Sequence, residues 1–172
     1  MKKRSLIAAL AALPALVAGV AFAASAFDGA KQSTARFHDV EQAKAAGYTV
    51  VVRDLAEIEC IEDDAGGTGA MGVHLLNPDL LFDGGKIDAA QPEILVYEPR
   101  QNGTLKLVAL EYLVFKSHFG AGRPALFGKQ FDEVPAVNRY GIPESWALHA
   151  WLWKPNPNGM LAPYNPRVSC AG

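Results

Sequence analysis

The run TLKLVALEYLVF, from Thr104 to Phe115, limits the fold of this 172-residue chain more than any other segment. It is dense in apolar and β-branched residues, which is typical of a strand. A similar run, EILVYE (Glu93–Glu98), precedes it, and the intervening PRQNG ends in Asn-Gly, as hairpin loops often do. The two runs therefore predict a β-hairpin. If Glu98 pairs with Thr104, Glu111 lies opposite Gln91. Glu111 is then about 23 Å along the strands from Glu98, which is expected to be exposed.

The rest of the sequence predicts one helix, several strands and long loops. An amphipathic N-terminal helix is expected at about residues 34–46, because apolar residues recur at helical spacing and a glycine follows. Strands are expected in YTVVVRDL, MGVHLLN and WALHAWLW, whereas the acidic segment AEIECIEDDAGG and the Gly- and Pro-rich segment 116–145 are expected to be loops. This pattern predicts a single α+β domain with a mostly antiparallel sheet and long ordered loops.

The first 26 residues have the organisation of a secretory signal peptide. A basic start, KKR, precedes an apolar run from Leu6 to about Val20, and two small-x-small exits, AFA and ASA, follow. The run is short for a membrane span, and no later segment is long and apolar enough to be one. We therefore expect residues 1–26 to be removed and residues 27–172 to form one exported domain, periplasmic or secreted.

The charge of the exported domain restricts its partners. Loss of the signal peptide removes three cations and no anion, so the formal charge moves from −2 to −5. A mildly acidic domain has no electrostatic basis for binding nucleic acid or anionic lipid. A metal ion or a small molecule is the expected partner.

The chain contains two cysteines, Cys60 and Cys170. In an oxidising compartment such a pair most simply forms one disulfide, which would close a loop of about 110 residues and hold the C-terminal tail. The alternative is a pair of thiolate ligands or a redox pair. The absence of a Cys-x-x-Cys motif from the sequence argues against that alternative.

The stretch GGTGAMGVH has a Gly-x-Gly-x-x-Gly spacing at Gly67, Gly69 and Gly72. A dinucleotide site needs a helix directly after the glycines, because the helix N-terminus meets the pyrophosphate. Here a strand-like VHLLNP follows, and an acidic segment precedes, so no nucleotide cofactor is expected. The glycines more plausibly provide flexibility, a bulge or close backbone approach beside His74.

Three ionisable residues near the middles of predicted strands form the candidate site. Glu111 is the one polar residue on a strand face with Leu105, Leu107, Ala109, Leu113 and Phe115, so its carboxylate needs a partner or a raised pKa. His74 and His149 lie in other apolar strands. If they meet Glu111 on one sheet face, they form a two-His, one-carboxylate set suited to zinc, copper or iron. His118 is a possible fourth ligand or a plain loop residue.

A structural interpretation of the same residues stays open. Strand histidines are commonly hydrogen-bonded in a core, and a buried glutamate often pairs with Arg or Lys. The chain would then be a non-catalytic envelope or interaction domain. The sequence contains neither a Gly-x-Ser-x-Gly elbow nor a His-Glu-x-x-His motif, so no catalytic residues are assigned.

Five runs also resemble a group of exported bacterial hypothetical proteins: GAMGVHLLNP, PEILVYEP, LVALEYLVF, ALFGKQFD and ALHAWLWKPNPNGMLAPYNPRVSC. The resemblance covers most of the chain after the signal peptide and implies export. It brings no assigned reaction, so it carries no catalytic residues over to this sequence.

Overall fold

The computed structural model describes residues 25–63 and 66–172. Except for residues 25 and 26, the predicted signal peptide lies outside the described residues. No helix in the described part of the chain is long and apolar enough to cross a membrane.

The described chain is built from short helices and antiparallel strands. The helical elements are α1 (residues 25–34), a 3-10 turn (Ala35–His38), α2 (Val40–Ala45), α3 (Pro78–Leu81) and α4 (Lys116–Phe119). The strands are β1 (Val50–Val51), β2 (Cys60–Glu62), β3 (Ala70–Leu76), β4 (Ile94–Pro99), β5 (Leu105–Phe115), β6 (Ala125–Leu126), β7 (Lys129–Gln130), β8 (Asp132–Val134) and β9 (Ser145–Ala150).

Seven of these strands form one antiparallel sheet. Six of them lie in the order β1-β3-β4-β5-β9-β8, and the seventh, β2, also pairs with β3. Strands β1 and β2 both pair with β3, at its two ends, while β6 and β7 form a separate hairpin. The expected single α+β domain with an antiparallel sheet is confirmed. Its central hairpin, β4–β5, follows from the two apolar runs on either side of PRQNG.

Both faces of the sheet are buried, which explains why β5 is apolar along most of its length. One face packs against the N-terminal helical segment through residues such as Tyr97, Leu110 and Tyr112. The other face packs against loops and the C-terminal tail through Leu113 and Trp151, among others. We call this second face the site face, because it also carries the candidate ligands.

A β-bulge changes which β5 residues share a face. Val96 pairs with Ala109 but Tyr97 pairs with Leu107, so Val108 is an extra residue on β5. Beyond a bulge the alternation of side chains shifts by one. The expected grouping of Glu111 with Leu105 and Leu107 is therefore wrong, whereas its grouping with Ala109, Leu113 and Phe115 is right.

The hairpin register expected from the sequence is also wrong. Glu98 pairs with Lys106, and Glu111 lies opposite Ile94 rather than Gln91. Glu98 is not exposed, because its side chain is 14% accessible and forms an ion pair with Lys154. Glu98 also lies outside the side-chain cluster described below, which contains Glu111.

Local chemistry explains the other departures from expectation. The single helix expected at residues 34–46 is broken at Asp39, whose carboxylate accepts the Glu41 backbone N–H and so starts α2. The expected loop 116–145 contains α4 and three short strands, and the acidic segment contains β2. These strands are only two or three residues long, so their sequences carry little periodic signal.

The C-terminal tail is attached to the sheet at several points. Cys60 and Cys170 form the expected disulfide, across 110 residues of sequence. Asn165 also forms an isolated bridge with Ala70, the first residue of β3. The tail therefore closes over the end of β3 that leads to His74.

We expect the disulfide to contribute much of the stability of the domain. Closing a loop of this length stabilises a fold by about 4–5 kcal/mol in the chain-entropy model. The Cys60→Ala/Cys170→Ala double variant should lose about that much free energy of unfolding in urea titrations. Unchanged stability would show that the unfolded chain is not restrained by this crosslink.

Candidate metal centre

Three different strands of the site face supply the candidate ligands. His149 on β9 lies directly opposite Glu111 on β5, so the two form a cross-strand pair. His74 is on β3, which pairs with β4 on the side away from β5, and it lies opposite Val96 of β4. Strands β3 and β5 are therefore about 9–10 Å apart, and the side chains meet over the apolar surface of β4.

The three side chains that the sequence singled out come together. The Nε2 atoms of His74 and His149 are 3.3 Å apart, and His74 Nε2 lies 3.5 Å from Glu111 Oε2. His149 Nδ1 lies 3.7 Å from Glu111 Oε1. One ligand atom from each residue can be chosen so that all lie within 4.8 Å of one another. Ligands placed tetrahedrally about 2.1 Å from a zinc ion are about 3.4 Å apart, so the spacing suits one such ion.

A backbone hydrogen bond sets the orientation of His74. Its Nδ1 lies 3.0 Å from the Gly72 carbonyl oxygen, which can only accept, so Nδ1 carries the proton. The lone pair is then on Nε2, which faces His149 and Glu111. Metal-bound histidines are commonly held by a hydrogen bond of this kind from the other ring nitrogen.

Gly72 is required for that hydrogen bond by its backbone geometry. Its φ is +110°, and a Cβ atom there would lie 2.5 Å from the Tyr97 carbonyl oxygen of β4. The expectation that a glycine provides close backbone approach beside His74 is confirmed at this position. Met71, just before Gly72, is an extra residue relative to β2, which makes this end of β3 a bulge.

The cluster is buried and uncharged at neutral pH. Both imidazoles are 4% accessible and the Glu111 side chain is 12% accessible. Burial lowers the pKa of His74 to about 4 and raises the pKa of Glu111 to about 8. Burial, with a smaller effect of His74, holds the pKa of His149 well below its usual value. A positive charge placed close to Glu111 would lower its pKa and let it ionise in place.

An apolar cavity adjoins the cluster on one side. We call this cavity of about 90 Å³ the chamber. His74 and Glu111 are part of its wall, and the remaining wall is almost entirely hydrocarbon. Its lining residues are Val52, Met71, His74, Leu76, Leu81, Ile94, Glu111, Leu113, Phe115, Val134, Tyr140 and Ile142.

A second, more polar cavity of about 220 Å³ adjoins the cluster on its other side, and we call it the vestibule. Glu111 also borders this cavity, which is lined by Met71, Glu111, Asp132, Glu133, Val134, Tyr140, Ala147, His149 and Pro163. Met71 and Tyr140 border both cavities, and the Tyr140 hydroxyl lies 3.6 Å from the Met71 sulfur. The three ligands therefore lie where the chamber meets the vestibule.

An ion pair holds together the two loops that close the chamber. Arg139 Nη2 lies 2.7 Å from Asp54 Oδ2, and the Leu55 backbone N–H donates to the Arg139 carbonyl oxygen. These loops supply Val52 and Ile142 to the chamber wall. These parts of the chamber wall are thus held by contacts between segments that are distant in sequence.

The two other histidines of the chain lie elsewhere. His118 is not a fourth member of the cluster among the described residues, and its ring packs at 5.6 Å from that of Phe115. His38 is exposed and packs edge-on against Trp153. Sequence reasoning did not identify Met71 or Tyr140. A bulge was only one of three roles considered for the glycines beside Met71, and the short strand that precedes Tyr140, at residues 132–134, was not predicted.

No protein-family model matches the sequence, and no curated protein or solved structure shows significant similarity to it. The interpretation of the site therefore depends on its geometry and chemistry.

Glu93 is a second buried carboxyl group that the sequence analysis did not single out. It is 2% accessible, and its Oε2 accepts the Leu113 backbone N–H. Glu93 lies two and four residues before Leu95 and Tyr97, so the three share one face of the strand. The pattern that identified Glu111, a polar residue on an apolar strand face, therefore also applies to Glu93. Burial is the main cause that raises its pKa to about 8.

We predict that Glu93 makes folding less favourable as pH rises. Its pKa is higher in the folded state, so the folded protein holds a proton that the unfolded chain loses above about pH 4.5. Between pH 5 and 8, the Glu93→Gln variant should gain stability relative to wild type by up to about 1.4 kcal/mol per pH unit. Urea unfolding at several pH values measures this, and parallel curves for the two proteins would contradict it.

Proposed function

We propose that this protein is an exported metal-binding protein whose site consists of His74, Glu111 and His149. Zinc, copper and iron are the candidate ions, since two imidazoles and one carboxylate suit each of them. Three protein ligands leave at least one coordination position for water or another small ligand. The disulfide supports export, because such bonds persist in oxidising compartments.

The observation that carries the proposal is a buried carboxyl group that faces two imidazoles across metal-like distances. The His74 proton is on the nitrogen that points away from the cluster, so its lone pair is available to a metal. A buried carboxylate is costly without a positive partner, and a divalent ion is a compact way to supply one. The same burial excludes bulk water from the ion.

The alternative is a structural hydrogen-bond network in a non-catalytic envelope or interaction domain. The 3.3 Å contact between the two imidazoles supports it, because a neutral His149 can donate to the free Nε2 of His74. The two functions differ in whether the purified protein binds one metal ion at this cluster.

Metal titration separates the two functions. Protein purified without an affinity tag should bind one equivalent of zinc in calorimetry, and mass spectrometry of the native protein should show one ion. His74→Ala and His149→Ala should each weaken zinc binding by at least about 100-fold, since loss of a residue that only holds a metal ligand in place already costs about 10- to 100-fold.

His118→Ala is the matched control, because this histidine packs outside the cluster. It should bind zinc as the wild type does. Absence of binding by the wild type, or equal binding by all three variants, would exclude the proposed site and favour the structural network.

We also predict that zinc affinity rises with pH. Because the pKa of Glu111 is about 8 in the metal-free protein, zinc must displace a proton from this carboxyl below that pH. His74, with a pKa of about 4, adds no proton release above pH 6. Affinity should therefore increase about tenfold per pH unit from pH 6 to 8 and then level off. Competition with a zinc indicator measures it, and a flat profile would show that Glu111 is already ionised or not a ligand.

A further inference from the structure

We infer that the chamber binds a small aliphatic molecule whose single oxygen donor completes the coordination of the metal. This inference rests on the proposed function, because the metal supplies the polar end of the site. It adds the chemical class of the ligand, which the three metal-binding residues do not specify.

The wall of the chamber determines that class. Leu81, Leu113, Phe115 and Ile142 are among the residues that surround the space, and no lysine or arginine lines it in the described chain. A sugar, an amino acid or a nucleotide would bury several polar groups here without partners, and each such group lowers the affinity. An aliphatic body loses no hydrogen bonds on entry.

The position of the polar groups determines how the ligand is oriented. The side-chain polar groups of the wall are those of His74 and Glu111, with the Tyr140 hydroxyl directed to the Met71 sulfur. His149 borders the vestibule instead. A metal held by all three ligands would therefore present an open position toward the chamber or the vestibule. A ligand with a donor at one end and hydrocarbon at the other satisfies the metal and the chamber together.

The volume of the chamber limits the size of the ligand. At about 90 Å³ it exceeds the roughly 30 Å³ that one water occupies in the liquid, and it is smaller than an engineered apolar cavity of about 150 Å³ that binds benzene. Because benzene itself has six non-hydrogen atoms, the chamber takes a hydrocarbon body of fewer than about six, with the donor group at the metal. Isobutyramide, with one carbonyl donor and an isopropyl body, is a suitable probe.

The test uses the full exported domain loaded with cobalt(II), whose visible absorption changes when a ligand joins the metal. Isobutyramide should shift the spectrum with saturation. Acetamide is smaller than isobutyramide by two methylene groups. Because each buried methylene contributes about 0.8 kcal/mol, acetamide should bind about 15-fold more weakly. Equal affinities for the two amides would overturn the inference, because the hydrocarbon would then contribute nothing.

Two adjacent residues of α3 provide a matched pair of variants. Leu81 lines the chamber, whereas Leu80 packs against the opposite core and lines another cavity. Leu81→Phe should keep one equivalent of cobalt but weaken isobutyramide binding at least tenfold, while Leu80→Phe should bind it as the wild type does. Ile142→Phe fills the chamber from the opposite loop and replaces Leu81→Phe if that variant fails to fold.

The outcomes separate the two proposals. If cobalt binds with one equivalent but filling the chamber leaves amide binding unchanged, the inference about the ligand is wrong and the metal site stands. If cobalt does not bind to the folded wild type, the metal site itself is wrong, and the inference fails with it.

Discussion

A carboxyl group buried on an apolar sheet face is the feature on which the proposed site depends. Glu111 lies between residues that pack into one core, and its nearest side-chain partners are two imidazoles that burial holds neutral. In this environment the carboxyl keeps its proton to about pH 8. The cluster is thus a neutral set of oxygen and nitrogen donors, and a divalent ion would replace the proton with a much stronger electrostatic partner.

The sheet brings these groups together through strand order and two bulges. The long β5 strand places Glu111 beside His149 directly, but His74 reaches the cluster only across β4. The bulge at Val108 sets which β5 residues share a face with Glu111. At Gly72, a backbone conformation that a side chain would obstruct lets the carbonyl hold His74 in the tautomer that has its lone pair on Nε2. The disulfide and the contact between Ala70 and Asn165 then fasten the tail against this end of β3.

Much of this arrangement could be predicted from the sequence. Strong apolar runs identified β3, β4, β5 and β9, and a polar residue within each of three such runs identified His74, Glu111 and His149. The pairing register could not be predicted, because loop length and bulges set it and neither has a clear periodic signal. The residues that line the chamber could not be predicted either. Tyr140 and Ile142 come from a loop that is held by an ion pair between Asp54 and Arg139, which are 85 residues apart in the sequence. Glu93 could have been found, because it follows the alternation that revealed Glu111.

The most direct test of the central claim is X-ray absorption at the zinc edge of protein loaded with one equivalent of zinc. We predict two imidazole nitrogens and at least one oxygen at about 2.0–2.2 Å, with outer-shell scattering from both rings. The His149→Ala variant should lose the signal of one ring. A spectrum with only oxygen neighbours, or one unchanged by loss of His149, would show that zinc binds elsewhere and that the cluster is not a metal site.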